Sequence, residues 1–142
     1  MAGFKDLKVW RRAKELAVDI YKETQEGPFS RDFGFRDQIR KAAVSVPSNI
    51  AEGDERGSNK DAVRFFYIAK GSLAELRTQV EIAFEIGYLA SENTKGLDNK
   101  SMVIGKMLGS LIKARSNSCK QQMASIRRQY RLYNLFPMTH NP

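Results

Sequence analysis

Two serine–carboxylate pairs, Ser45 with Glu52 and Ser72 with Glu75, each set a hydroxyl near a potential base. Serine nucleophiles need a histidine or lysine to take the hydroxyl proton, and neither pair has one suitably spaced. The only histidine, His140, is the third residue from the C-terminus, where chain ends usually fray. The single cysteine, Cys119, has no partner for an internal disulfide and no neighbours at metal-ligand spacing. A phosphate-binding lysine loop, a histidine–glutamate zinc motif, paired aspartates and a dinucleotide fingerprint are all missing from the sequence. These side chains therefore predict a protein that is not an enzyme and holds no metal or cofactor.

The basic residues offer more. Lysine and arginine number 24 against 16 acids, a net charge of +8 that favours an anionic partner, with RNA or DNA first. Lys8, Arg11 and Arg12, with Lys5 beside them, share one solvent face of a first helix, and Arg36, Arg40 and Lys41 share one on a second. Both faces suit phosphate, although Arg11–Glu15 and Asp37–Lys41 also have the spacing of ordinary helical ion pairs. From residue 117 onward the chain holds Lys120, Arg127, Arg128 and Arg131 and no acid. In SIRRQYRLYNLFP (residues 125–137) the arginines alternate with Tyr130, Tyr133 and Phe136, a pattern that fits phosphates plus stacked bases. It fits equally an amphipathic helix docked on the bundle or on a neighbouring subunit.

The elements that must position these groups read as all-α, because apolar residues recur at three and four and no stretch alternates at strand period. Asp6 is the expected N-cap of a first helix that ends near Glu26, where Gly27-Pro28 stops it. A second helix begins between Asp32 and Phe35, with Ile39, Ala42, Ala43 and Val46 inward. Residues 53–57 form a polar turn, and Ser58 with Asp61 resembles a capping box for a third helix running to about Leu89. A fourth spans about Glu92 to Arg115, with Leu97, Ser101, Ile104, Leu108, Leu111 and Ile112 on one face. Short turns predict an up-down-up-down antiparallel four-helix bundle over residues 1–116, followed by a basic, aromatic-containing tail over 117–142. No apolar run is long enough for a membrane span and the N-terminus lacks a signal-peptide pattern, so the expectation is a cytoplasmic protein without a membrane partner.

The third helix has two apolar stripes. Ala62, Phe65, Phe66, Ala69, Leu73, Leu76, Val80, Ala83 and Phe84 face the core, while Ile68, Ile82 and Ile86 lie about 120° from that stripe's centre. Either the core nearly surrounds this helix or the second stripe is a subunit interface. Gly71, beside Ser72, predicts the close approach of another group and joins Ile68, Ile82 and Ile86 as a candidate interface residue.

SVPSNIAEG (residues 45–53) puts a proline inside a helical pattern. Ile50 falls four residues after Val46, so the helix is expected to continue through Pro47 with a kink near its end. Asn49 and Glu52 are then placed to hydrogen-bond across to the third helix near Ser72 or Glu75.

The stretches FKDLKVWRRAKELAVDIY, QIRKAAVSVPSNIAEGDERGSNKDAVRFFYIAKGSLAEL and IGYLASE followed by IGKMLGSLIK resemble a bacterial four-helix-bundle family. That family was first noted as reading frames in intervening sequences of large-subunit ribosomal RNA genes. SVPSNIAEG followed by AKGSLAEL carries most of the likeness, which covers about residues 4–115. The resemblance implies an antiparallel bundle that assembles as a homo-oligomer, a pentameric barrel with a central channel. It also implies distant kinship with accessory proteins of diversity-generating retroelements, basic pentamers that bind nucleic acid and a reverse transcriptase. The tail after Arg115 is not typical of the family, so no role carries over to it.

Overall fold

The computed structural model describes residues 3–135, with side chains through residue 132; Phe136 and His140 lie outside them. A 3₁₀ turn over Phe4–Asp6 leads into α1 (Lys8–Glu23), a short α2 (Gly27–Arg31), α3 (Phe33–Asp54), α4 (Asn59–Glu85) and α5 (Ser91–Leu135). Four long helices make an all-helical bundle around one core. Its members follow the helical period: Val9, Ala13, Leu16, Ala17 and Ile20 on α1, and Leu97, Ile104, Leu108 and Ile112 on α5, are all buried. On α4 the buried set Ala62, Phe66, Ala69, Leu73, Leu76, Val80 and Ala83 steps by four and three throughout.

Several helix ends differ from expectation. Asp6 sits in the 3₁₀ turn and accepts from the Gly3 amide at 3.2 Å, so the N-cap of α1 is Leu7. Gly27 does not end α1, which stops at Glu23. It opens α2 with φ of 65°, a left-handed conformation that glycine adopts without steric penalty, and Pro28 follows in the first turn. Phe29 from this turn is buried and stacks on Phe35, with ring centroids 5.2 Å apart, closing that end of the core. Asp32 caps α3 by accepting from the Phe35 amide at 3.2 Å. Its other carboxylate oxygen accepts from the Tyr88 hydroxyl at 2.9 Å, which ties the α4–α5 turn to the same cap. Ser58 caps α4 as expected, accepting from the Asp61 amide at 3.2 Å, but α4 ends at Glu85 and Gly87 turns the chain with φ of 83°.

Gly53 belongs to α3 and not to a turn. A Cβ there would stand 2.7 Å from Phe66 Cε1 and 3.0 Å from the Ala62 carbonyl oxygen, so its lack of a side chain is what lets α3 and α4 close together. Gly71, by contrast, has nothing from another element within 4 Å of the position a Cβ would take, among the described residues. Phe65 and Phe84 do not join the core: Phe65 is half-buried beneath the Arg56 guanidinium, 4.4 Å from its ring centroid, and Phe84 is exposed.

The fourth predicted helix does not end at Arg115. It continues as one rod of 45 residues, about 68 Å at 1.5 Å per residue, against about 40 Å for the 27-residue α4. From Lys120 to Leu132 every described side chain is exposed, so this part of α5 does not dock on its own bundle. Among the described residues no helix is long and apolar enough to cross a membrane.

Candidate nucleic-acid interface

The six cations predicted on the first two helices separate to opposite ends of the bundle. Arg40 reaches the C-terminal end of α1, where its Nε donates to the Thr24 hydroxyl at 2.8 Å and its guanidinium lies 4.5 Å from the Tyr21 ring centroid. Thr24 is itself buried and donates to the Ile20 carbonyl at 2.8 Å, so Arg40 is part of the packing there. Arg36 is engaged likewise, donating to the Ser30 carbonyl at 3.1 Å and pairing with Asp37 at 3.1 Å. Lys41 remains exposed.

Lys8, Arg11 and Arg12 occupy the first two turns of α1 and are all exposed. The Arg11–Glu15 pair does not form; Arg11 donates weakly to the Asp6 carbonyl at 3.4 Å, and among the described residues no ion pair holds any of the three. The first turn of α1 has no acid. Cations at a helix N-terminus oppose the macrodipole, whose positive end lies there and favours anions. This cluster therefore works slightly against α1's own stability, and a phosphate beside it would reverse that balance.

The other cationic surface is the exposed part of α5, with Lys120, Arg127, Arg128 and Arg131. It leaves the bundle at the same end as the start of α1. Far from that end, Lys100 pairs with Asp19 and Asn93 donates to Glu23 at 3.2 Å. Near it, Arg115 gathers three helices, donating to Asp54 at 2.8 Å and to Asn59 at 3.3 Å. Periodicity marked Arg115 only as the end of a helix; its part in joining α3, α4 and α5 depends on where those chains meet.

The SVPSNIAEG segment is a helical joint. Pro47 is buried within α3, which runs on through it, and Ile50 rejoins the core. Asn49 does not reach α4. Its Nδ2 donates to the Ser45 carbonyl at 2.8 Å and to Ser45 Oγ at 3.0 Å, and it is Ser45 Oγ that meets Ser72 Oγ at 2.8 Å. Glu52 pairs at 2.6 Å with Arg56, in the turn just after its own helix. Glu75 accepts from Gln79 Nε2 at 3.4 Å within α4, leaving Gln79 Oε1 buried without a partner. Neither serine has a base in reach in these contacts.

Ile68, Ile82 and Ile86 are 46%, 44% and 52% exposed, so this chain's core does not surround α4 on that side.

A crystal structure of a protein of unknown function from the S23 ribosomal protein family of Bacteroides thetaiotaomicron is similar to this chain, with a TM-score of 0.69 and 26% identity. The match covers 74% of this chain and 95% of that one. No curated protein matches the chain. The family model described as 23S rRNA-intervening sequence protein matches residues 5–110, from the 3₁₀ turn into α5, and stops short of the exposed end of that helix. The chain belongs to the 23S rRNA-intervening sequence protein family.

Proposed function

We propose that this protein is a non-enzymatic, homo-oligomeric accessory protein that binds RNA or DNA through phosphate contacts. The observation that carries this reading is the cluster Lys8, Arg11 and Arg12: exposed, without carboxylate partners among the described residues, and set at a helix N-terminus where cations are held at a cost to the helix. Lys120, Arg127, Arg128 and Arg131 at the same end of the bundle extend the surface. Family membership supports an RNA-related role. The helices form an antiparallel up-down bundle in this reading, supported by Arg77 of α4 meeting Asp98 while Asn59 meets Arg115. Copies assemble, as a pentameric ring, through the exposed isoleucines of α4. Five copies multiply the phosphate contacts, and binding falls steeply with salt, by about 0.9 in the log–log slope per phosphate neutralised.

The test is titration of a duplex RNA and a single-stranded RNA with the full chain over a salt series beginning at about 50 mM. Binding that weakens with salt and is lost when Lys8, Arg11 and Arg12 become glutamine supports the reading. RNA and DNA of unchanged mobility in excess protein at low salt refute it.

A second reading, a protein-interaction scaffold, is favoured by Met123, Ile126 and Tyr130, which are 48%, 42% and 68% exposed on α5. Phosphates offer such a surface nothing apolar to bury.

A further inference from the structure

Eighteen residues make about five turns of an α-helix, so Ile126 repeats the azimuth of buried Leu108, and Tyr130 that of buried Ile112. The face of α5 that packs inside the bundle thus continues beyond it as Cys119, Met123, Ile126 and Tyr130, at spacings of four, three and four. One flank of this seam carries Lys120, Arg127 and Arg131, and the other Gln122, Ser125 and Gln129. Beside the cationic flank lies a groove of about 790 Å³ between α5 and the start of α4. Val63 and Met123 supply apolar surface there, and Lys60, Lys120, Arg127, Arg128 and Arg131 line it without any acid.

Two such seams do not suit each other. In a parallel pair, the partner's α5 would have to run through space filled by the first copy's own bundle, because seam and buried face share one azimuth. In an antiparallel pair, Lys120 of one copy falls opposite Arg127 of the other, and like charges across a helix seam repel.

The groove calls for an apolar helix face bordered by acid, and this chain carries one. On α4 and its C-cap residue, Glu75, Ile82 and Ile86 lie along one exposed stripe with Glu85 at its border. From Glu75 to Ile86 is eleven residue steps, as is Cys119 to Tyr130, so each spans about 17 Å. The stripe lies toward the opposite end of α4 from the groove at Asn59 and Lys60, and only a second copy can bring the two together. We infer that the exposed part of α5 in one copy packs on the Glu75–Ile86 face of α4 in the next. The contact is heterologous and propagates into a ring or a chain of copies. It rests on the assembly half of the proposed function; of the phosphate surface it takes Lys120, Arg127 and Arg131 into the contact and leaves Lys8, Arg11 and Arg12 free.

The test mixes two full-length variants, Ile82→Asp and Ile126→Asp. Light scattering should find each alone reduced to monomer with its helical content kept, and the mixture restored to a one-to-one dimer, since it contains one intact α5 seam and one intact α4 face. In a second arm, Arg127→Glu with Arg131→Glu should lower the mass, and adding Glu75→Arg with Glu85→Arg to the same chain should restore it. Ile126→Asp keeping the mass of the unaltered assembly, or a mixture that stays monomeric together with a charge exchange that restores nothing, refutes the contact and leaves an α4–α4 interface in its place. An unaltered chain that is monomeric at every concentration refutes the assembly reading as well, while RNA binding still reports on the phosphate surface.

Discussion

Ser45 Oγ of α3 and Ser72 Oγ of α4 stand 2.8 Å apart, and Asn49 one turn on donates to both the carbonyl and the hydroxyl of Ser45. The bond joins two helices beside a proline that has removed a backbone donor. Asn49→Ala should cost about 1 kcal/mol in urea unfolding, the net worth of a typical hydrogen bond. Ser45→Ala and Ser72→Ala should be non-additive in a double-mutant cycle, because each removes the same contact. None of the three should change RNA affinity under folding conditions. Normal stability with lost affinity in Asn49→Ala would assign this joint to binding.

Gly53 and Gly71 separate two uses of a helical glycine. Alanine is favoured over glycine in a helix by about 1 kcal/mol, and at Gly71, where the site is open, that gain should appear as a rise in Tm. At Gly53 the added Cβ meets the buried Phe66 ring and the backbone of Ala62. Overpacking there costs about 1–3 kcal/mol, so Gly53→Ala should lower stability despite the same propensity gain.

Arg40 and Arg12 should divide stability from binding. Arg40→Gln loses the bond to Thr24 Oγ1 and the stack on Tyr21, a loss of about 1–2 kcal/mol read by denaturant. Its effect on RNA affinity should be small. Arg12→Gln should leave stability within about 0.5 kcal/mol and reduce the salt slope of binding by about 0.9 if one phosphate contact is lost.

Tyr88 should confer an alkaline limit on stability. Its hydroxyl donates to the Asp32 carboxylate, which raises its pKa above the ordinary 10.0, with desolvation and the carboxylate's charge adding to the effect. A group whose folded value is raised contributes its full stabilisation below the unfolded value of 10.0 and loses it as pH climbs through the folded one. Thermal melts between pH 8 and pH 11 should therefore show a falling step in the unaltered protein that Tyr88→Phe lacks. Equal pH profiles in the two proteins would remove Tyr88 from this role.

Much of this was legible along the chain because helical periodicity is local: neighbours three and four residues apart share a face whatever the rest of the fold does. Val9 to Ile20, Ala62 to Ala83 and Leu97 to Ile112 therefore announced the core, and Ser58 announced its cap, whereas Asp6 did not cap α1. Pro47 was readable as a continued helix because Ile50 returns to the buried face. Contacts between helices were not readable in this way. Asn49 bonding within α3 while Ser45 crosses to α4, the close fit over Gly53, and Arg115 joining three helices all depend on how α3, α4 and α5 cross, which no spacing within one helix encodes.

By itself, then, the amino-acid order determined the helices, their buried faces and the excess of positive charge. Only the tertiary structure decided which cations are free. Arg36 and Arg40 are drawn into packing at one end of the bundle, while Lys8, Arg11 and Arg12 share the other with an α5 that outruns its neighbours. The physical reason is that a side chain's charge and period are its own, whereas the partner that neutralises or covers it is supplied by another part of the chain.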